Sequence, residues 1–179
     1  METLAYKIAR TIKSINPEET HSIEIMKYSL TIILNTLTIF ITSVLIGWLS
    51  GELGATIIVF FSLSLLRMLS GGFHFRTARA CNIFSILLCT AIPHLSGYTL
   101  NYIWVINTLS LSIIFLFAPN PDFNSQIPLR LYPLLKILSL LVVLSNFFIL
   151  SSAIGLSFLV QSLTIIPIER RINHEKSIR

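Results

Sequence analysis

The stretch RMLSGGFHFRTARAC, residues 67–81, interrupts a chain that is otherwise strongly apolar. It brings together a glycine pair, one histidine, three arginines and one cysteine between two long apolar runs. Gly71 and Gly72 each weaken a helix by about 1 kcal/mol relative to alanine. The stretch therefore predicts a turn between two apolar helices, and this turn also carries ionisable and nucleophilic side chains.

The composition on either side of this turn is typical of a membrane protein. Of the 179 residues, 54% are hydrophobic and only 12% are charged, whereas soluble domains carry about 25% charged residues. A soluble helical fold needs polar helix faces, which these apolar runs lack. Runs of about 18 or more apolar residues are long enough to cross a bilayer. We predict an all-α polytopic membrane protein with six spans, at residues 29–49, 54–69, 81–100, 102–118, 134–150 and 152–168.

The basic residues predict how these spans are oriented. The thirteen lysines and arginines lie before the first span, around the gap between the second and third, around the gap between the fourth and fifth, or after the sixth. Arg67 and Lys136 lie within the span ends that border these gaps. The other three connections carry none, so six spans place every basic residue on one side. That side is cytoplasmic by the positive-inside rule. Both termini and residues 67–81 are therefore expected to face the cytoplasm, and the net charge of +5 indicates orientation rather than nucleic-acid binding.

The chain is predicted to form a single membrane domain with three parts. Residues 1–28 form an amphipathic interfacial region, residues 29–168 the six-helix core, and residues 169–179 a basic cytoplasmic tail. An apolar stripe at helical spacing in the first part either lies on an anionic membrane surface or packs on the protein itself. The sequence Asn16-Pro17-Glu18-Glu19 predicts the start of a second helix that runs into the first span.

His74 and Cys81 distinguish the central turn from an ordinary cytoplasmic loop, because together they could carry out catalysis. Ionisable groups at membrane depth are candidates for function. Neighbouring arginines favour a thiolate, and desolvation in lipid opposes it. On one helix the two residues are separated by about 10.5 Å along the axis, whereas a nucleophile and its base need about 3 Å. The chain must fold back if they act together. Cys89 lies mid-span without nearby charge and is predicted to be a packing residue.

Three other interpretations of these residues are less favoured. A metal site would draw on His74, Cys81, Cys89 and His94, but their spacing fits no compact zinc pattern, so no metal or cofactor is expected. A transporter or peptide exporter usually carries charges near the membrane midplane, whereas here they cluster at one face. A scaffold without chemistry leaves the combination of histidine and cysteine unexplained.

Three stretches carry a resemblance to a known family. The pattern Arg67-x3-Gly71-Gly72-x-His74-x6-Cys81 resembles the signature of AgrB, the accessory gene regulator protein B of Gram-positive quorum-sensing systems. Two supporting stretches resemble the family's second cytoplasmic loop and its last span: Ala118-Pro119-Asn120-Pro121-Asp122 with Pro128-Leu129, and residues 161–167, QSLTIIP. Length, span count and motif order agree, so the resemblance covers nearly the whole chain. One departure is Phe75, where many members carry a small residue.

The resemblance implies a membrane cysteine endopeptidase of the bacterial cell membrane, with its active site facing the cytoplasm. It would cleave the tail from an AgrD-like precursor peptide through an acyl-enzyme thioester. Closure of a thiolactone or lactone would then give a quorum-sensing autoinducing peptide. The implied partners are this peptide and the lipid bilayer, with no nucleic acid, and a homodimer stays open.

The resemblance also assigns roles to residues of the catalytic loop, residues 67–81. Cys81 would be the nucleophile and His74 the general base, with Arg67, Gly71 and Gly72 in support. Apart from the resemblance, five further residues are candidates for contact with the substrate: Arg76, Arg79, Pro119, Asp122 and Pro128. The two arginines either guide an acidic peptide tail or only anchor the topology. The loop with the two prolines and Asp122 either helps to form the pocket or is a rigid turn between spans. Four residues are equal candidates for orienting His74: Ser70, Asn82, Asp122 and Gln126.

Overall fold

A computed structural model describes residues 2–73, 77–120 and 128–167 of the chain. Within these ranges the fold is built from helices, which confirms the predicted all-α class. Seven α-helices follow one another: α1 Glu2–Ile15, α2 Ile23–Leu49, α3 Leu53–Ser70, α4 Ala78–Ser96, α5 Ile103–Phe117, α6 Tyr132–Ile149 and α7 Ser152–Leu163. Two short 3-10 helices, Gly97–Tyr102 and Leu129–Leu131, precede α5 and α6.

Four stretches of the described chain are long and apolar enough to cross a membrane, as in a multi-pass membrane protein. They are Ile23–Leu49, Leu53–Ser70, Ala78–Phe117 and Leu129–Ile149. The third stretch has 40 residues and contains two of the predicted spans, which the 3-10 helix Gly97–Tyr102 separates. Helix α7 has 12 residues, which is shorter than the roughly 20 that a bilayer requires. The count of six spans therefore stays a prediction.

Hydrogen bonds and close contacts show which helix ends lie together. The ends of α3, α5 and α7 meet the start of α4, and we call this the site end of the bundle. At the opposite end, the far end, Gly47 of α2 approaches Thr56 of α3. The side chain of Asn146 at the end of α6 donates to Asn107 Oδ1 of α5 at 2.9 Å and accepts from the backbone N–H of Ser151 at 3.1 Å. Helices α3, α5 and α7 thus run towards the site end.

The interior consists of two buried apolar clusters. One lies among α2, α3, α4 and α7, and the other joins α3, α5, α6 and α7. The second includes Leu66 and Ile165, both fully buried, and lies beneath the site end. Large apolar side chains also cover the outside of the bundle, with Phe148 88% exposed. Such an outer surface suits the hydrocarbon core of a bilayer, where exposed apolar side chains are not in contact with water.

Helix α1 packs on α2 through alanines and leaves much of its apolar stripe free. Ala5 and Ala9 are fully buried, and Glu2 forms an ion pair of 3.6 Å with Lys27 of α2. Leu4, by contrast, is 48% exposed. The interpretation that α1 packs on its own protein is therefore correct for the alanine face. The exposed part of the stripe still suits a membrane surface.

The predicted helix start at Asn16 is wrong. Helix α2 begins at Ile23, where the Ser22 hydroxyl accepts a hydrogen bond from the backbone N–H of Ile25. Asn16 instead donates from its amide to Glu19 at 3.0 Å, and Lys13 donates to the carbonyls of residues 17 and 20 in the same turn. These local bonds compete with a helix cap, so the segment forms a turn between α1 and α2.

Candidate active site

The glycine pair ends α3 and turns the chain, as the sequence predicts. Gly71 has φ 73° and Gly72 has φ 133°, conformations that residues with a Cβ atom rarely adopt. The N–H of Gly71 still donates to the carbonyl of Arg67 at 3.0 Å and so closes the last turn of α3. A Cβ atom on Gly72 would lie only 2.6 Å from the Thr164 hydroxyl oxygen, so close packing also requires glycine here.

Asn120, three residues after α5, holds this turn from one side. Its carbonyl accepts from the N–H of Gly72 at 3.0 Å, and its own N–H donates to the carbonyl of Ser70 at 2.9 Å. Its side-chain amide donates to the carbonyl of Ile165 at 3.0 Å. One asparagine thus connects the end of α5 to the ends of both α3 and α7.

The end of α7 holds the turn from the other side. The Gln161 amide is 2% exposed and donates to the carbonyl of Gly71 at 2.7 Å. The carbonyl of Thr164 accepts from the N–H of Phe73 at 2.8 Å. The backbone leading up to His74 is therefore fixed by residues about ninety positions later in the chain.

Cys81 lies in the first turn of α4. The Thr77 hydroxyl caps this helix by accepting from the N–H of Ala80 at 3.3 Å, and the Thr77 carbonyl accepts from the N–H of Cys81 at 3.2 Å. The thiol is half-buried. Cys81 therefore lies at the very start of α4, beside the turn that follows α3.

Arg67 connects the two sides of the turn. One terminal nitrogen of its guanidinium, Nη2, donates to the carbonyl of Phe73 at 2.9 Å and lies 3.9 Å from Cys81 Sγ. On an unbroken helix, residues 73 and 81 would be about 12 Å apart along the axis. The chain therefore folds back between them. His74 itself lies outside the described residues, as do Arg76 and Asp122.

The other predicted residues occupy different parts of this region. Arg79 is exposed on the first turn of α4, two residues before Cys81. Pro119 is half-buried beside Asn120, and Pro128 is exposed where it precedes the 3-10 helix Leu129–Leu131. Contact of these residues with a substrate stays a prediction.

Three of the four residues considered as metal ligands are described by the structure, and they are spread along α4. Cys89 is 2% exposed in the cluster among α2, α3, α4 and α7, about 12 Å along the helix from Cys81. His94 is exposed near the far end, about 20 Å from Cys81 along the axis. Cys89 is buried in the core, as its predicted packing role requires. Neither Cys89 nor His94 lies close enough to Cys81 to share a site with it.

Two residues considered for orienting His74 have partners of their own. The Ser70 hydroxyl donates to the carbonyl of Leu66 at 2.7 Å. The Asn82 amide donates to Asn35 of α2 at 3.3 Å. The other two candidates, Asp122 and Gln126, lie outside the described residues.

The structure adds Asn120, Gln161 and Thr164 to the residues that build the site. Gln161 and Thr164 are three positions apart near the end of an apolar helix. An amide at such depth needs a hydrogen-bond partner inside the protein, so the sequence alone indicates that the Gln161 side chain binds another part of the chain. The identity of that partner, the carbonyl of Gly71, is visible only in the folded chain.

Comparison with known proteins adds evidence independent of the geometry. The profile of the family described as Accessory gene regulator B matches residues 1–166. An AgrB-like protein of Halalkalibacterium halodurans is 33% identical over 110 residues, which cover 62% of this chain and 55% of that protein. Protein FsrB of Enterococcus faecalis is 29% identical over 158 residues, which cover 82% of this chain and 65% of FsrB. The chain thus spans between half and two thirds of these relatives' length. No solved structure matches significantly.

Proposed function

Because the chain belongs to the accessory gene regulator B family, we propose that it is a membrane cysteine endopeptidase acting on a short AgrD-like precursor peptide. The observation that carries this proposal is the contact of one Arg67 nitrogen with both the Phe73 carbonyl and Cys81 Sγ, at 2.9 and 3.9 Å. It brings the residue preceding His74 close to the only described cysteine outside the buried core.

In the proposed first step, Cys81 is the nucleophile and His74 the general base. The imidazole takes the thiol proton, and the thiolate attacks a backbone carbonyl of the precursor. The peptide C–N bond then breaks, and the leaving amine takes the proton from the imidazolium. The tail is released, and the rest of the peptide stays bound to Cys81 as a thioester.

In the proposed second step, a cysteine or serine of the bound peptide attacks that thioester. A thiol gives a thiolactone and a hydroxyl gives a lactone, and Cys81 regains its thiol. Exchange of one thioester for another is nearly neutral in free energy, so the site must exclude water and position the attacking group. The product is the cyclic autoinducing peptide of a quorum-sensing system.

We also propose a location for this chemistry. Six spans in the cell membrane would put the basic connections, both termini and the site end on the cytoplasmic side. The opposite directions of α3 and α4 at the site end support this arrangement, since the turn between them lies at one end of the bundle. A precursor made in the cytoplasm could then reach Cys81 directly.

The decisive experiment is mass spectrometry of a short peptide encoded next to the gene, after incubation with the purified protein. Cys81→Ala and His74→Ala should abolish release of the peptide tail, because each removes a participant in the first step. Cys89→Ala is the matched control and should preserve cleavage, because Cys89 lies in the core.

Retained cleavage by a folded Cys81→Ala protein would contradict the proposal. The competing assignment, a peptide exporter without proteolytic chemistry, predicts a different result. In proteoliposomes such an exporter would move the uncleaved peptide equally well with and without the Cys81 thiol.

A further inference from the structure

Arg67 is held in place on one side and open to the nucleophile on the other. Its Nη2 donates to the Phe73 carbonyl at 2.9 Å, and Phe73 is itself fixed through its N–H to the Thr164 carbonyl at 2.8 Å. Nη2 carries two hydrogens. With one directed at Phe73, the other points towards Cys81 Sγ and makes a long hydrogen bond to it at 3.9 Å.

This distance suits a negative oxygen better than the sulfur itself. When a thiolate adds to a carbonyl, the oxygen that gains charge is attached to the carbon bonded to sulfur. A donor at the long end of the hydrogen-bond range from Sγ can therefore lie within about 3 Å of that oxygen. A donor fixed by the protein stabilises such an oxygen without having to reorganise during the reaction.

We propose that Arg67 is a catalytic residue that stabilises the oxyanion formed when Cys81 attacks the precursor, an inference that rests on the proposed function. The Sγ electron pair forms the C–S bond, and the carbonyl π pair moves to oxygen, where the Arg67 N–H meets it. When the C=O bond reforms, the C–N bond breaks, and the leaving nitrogen takes the proton held by His74. The attack of the peptide's own thiol or hydroxyl passes through the same oxyanion, so Arg67 serves both steps.

Two small probes separate this role from simple support of the thiolate. Iodoacetamide alkylates sulfur by displacement of iodide and forms no oxyanion. 4-Nitrophenyl acetate acylates sulfur through an oxyanion and releases 4-nitrophenolate. Both rates are measured on the purified full chain in detergent, with Cys81→Ala subtracted and the adduct on Cys81 located by mass spectrometry.

Arg67→Lys keeps the positive charge but loses the planar guanidinium that fixes the directions of the two Nη2 hydrogens towards Phe73 and the oxyanion. It should change the alkylation rate little and lower the acylation rate about 100-fold. Arg67→Gln removes the charge as well, so both rates should fall, and acylation should fall further. Arg130→Lys, the same change in an exposed arginine of the 3-10 helix Leu129–Leu131 that precedes α6, is the control and should leave both rates unchanged. Size-exclusion profiles and thermal unfolding establish that each variant is folded.

Two results would overturn the inference while leaving the proposed function intact. One is an unchanged acylation rate in both variants, and the other is an equal fall of the two rates in each variant, which would assign Arg67 to the thiolate or to the fold. If the unaltered protein shows no acylation that depends on Cys81, the proposed function fails, and the inference fails with it.

Discussion

At the scale of single residues, Gly72 requires glycine for two reasons, its backbone conformation and its close packing. Its φ of 133° is unfavourable for any residue with a side chain. The space a Cβ atom needs is already taken by the Thr164 hydroxyl at 2.6 Å and the Gln161 amide at 3.2 Å. Gly72 therefore allows the end of α7 to lie directly against the turn.

Gly72→Ala should lower both stability and activity. Backbone strain at such a position costs about 1–3 kcal/mol, and displacement of Thr164 would move Phe73 and with it the Arg67 guanidinium. Thermal unfolding in detergent and the rate of Cys81 acylation by 4-nitrophenyl acetate measure the two effects.

Gly54→Ala is the matched control for this substitution. A Cβ atom there meets nothing within 4 Å, and alanine favours the helix, so stability should hold or rise. If Gly72→Ala unfolded at the same temperature as the unaltered protein and kept its acylation rate, the turn at Gly72 would contribute neither to stability nor to the reactivity of Cys81.

At the scale of secondary-structure elements, the important junction is between the end of α3 and the end of α7. Gln161 donates to the carbonyl of Gly71 at 2.7 Å and is 2% exposed. The Ser70 hydroxyl also approaches this partly buried carbonyl, but only at 3.4 Å, so the shorter bond from Gln161 should contribute about 1 kcal/mol to the stability of the turn.

Gln161→Leu should therefore lower the unfolding temperature and slow precursor cleavage, because leucine fills similar space but donates no hydrogen bond. Leu163→Ala, at the same end of α7 but 48% exposed, should have a much smaller effect on both. Equal effects of the two substitutions would show that the amide contributes no more than general packing.

The sequence predicts the helices far better than it predicts this junction. Apolar runs located α2 to α6 closely, and the glycine pair located the break between α3 and α4. The start of α2 was missed because Asn16 bonds to Glu19 in its own turn, while Ser22 caps the helix instead. The hydrogen bonds from Asn120 and Gln161 to the turn join residues about 50 and 90 positions apart, and no local sequence pattern predicts such pairs.

At the scale of the whole molecule, the direction of the bundle in the membrane decides which compartment reaches Cys81. Ser50 and Tyr98 lie at the far end, and Ser14 and Leu129 lie near the basic segments that the positive-inside rule assigns to the cytoplasm. All four are exposed, so each can carry a reporter cysteine.

In a background without Cys81 and Cys89, a membrane-impermeant maleimide applied to intact cells should label Ser50→Cys and Tyr98→Cys. Ser14→Cys and Leu129→Cys should react only after the membrane is permeabilised. Labelling of Leu129→Cys in intact cells would place the site end outside and contradict the proposed cytoplasmic location. Labelling of Tyr98→Cys only after permeabilisation would contradict the six-span count.

The bond from Gln161 to Gly71 also has a consequence for the order of synthesis. A ribosome that has completed the first hundred residues has already made the cysteine, but not the last helix, which fixes the neighbouring turn. A nascent or prematurely terminated chain therefore has the Cys81 thiol but lacks the contacts from α7 that fix the turn beside it. Full reactivity of Cys81 is expected to arise only when translation is nearly finished.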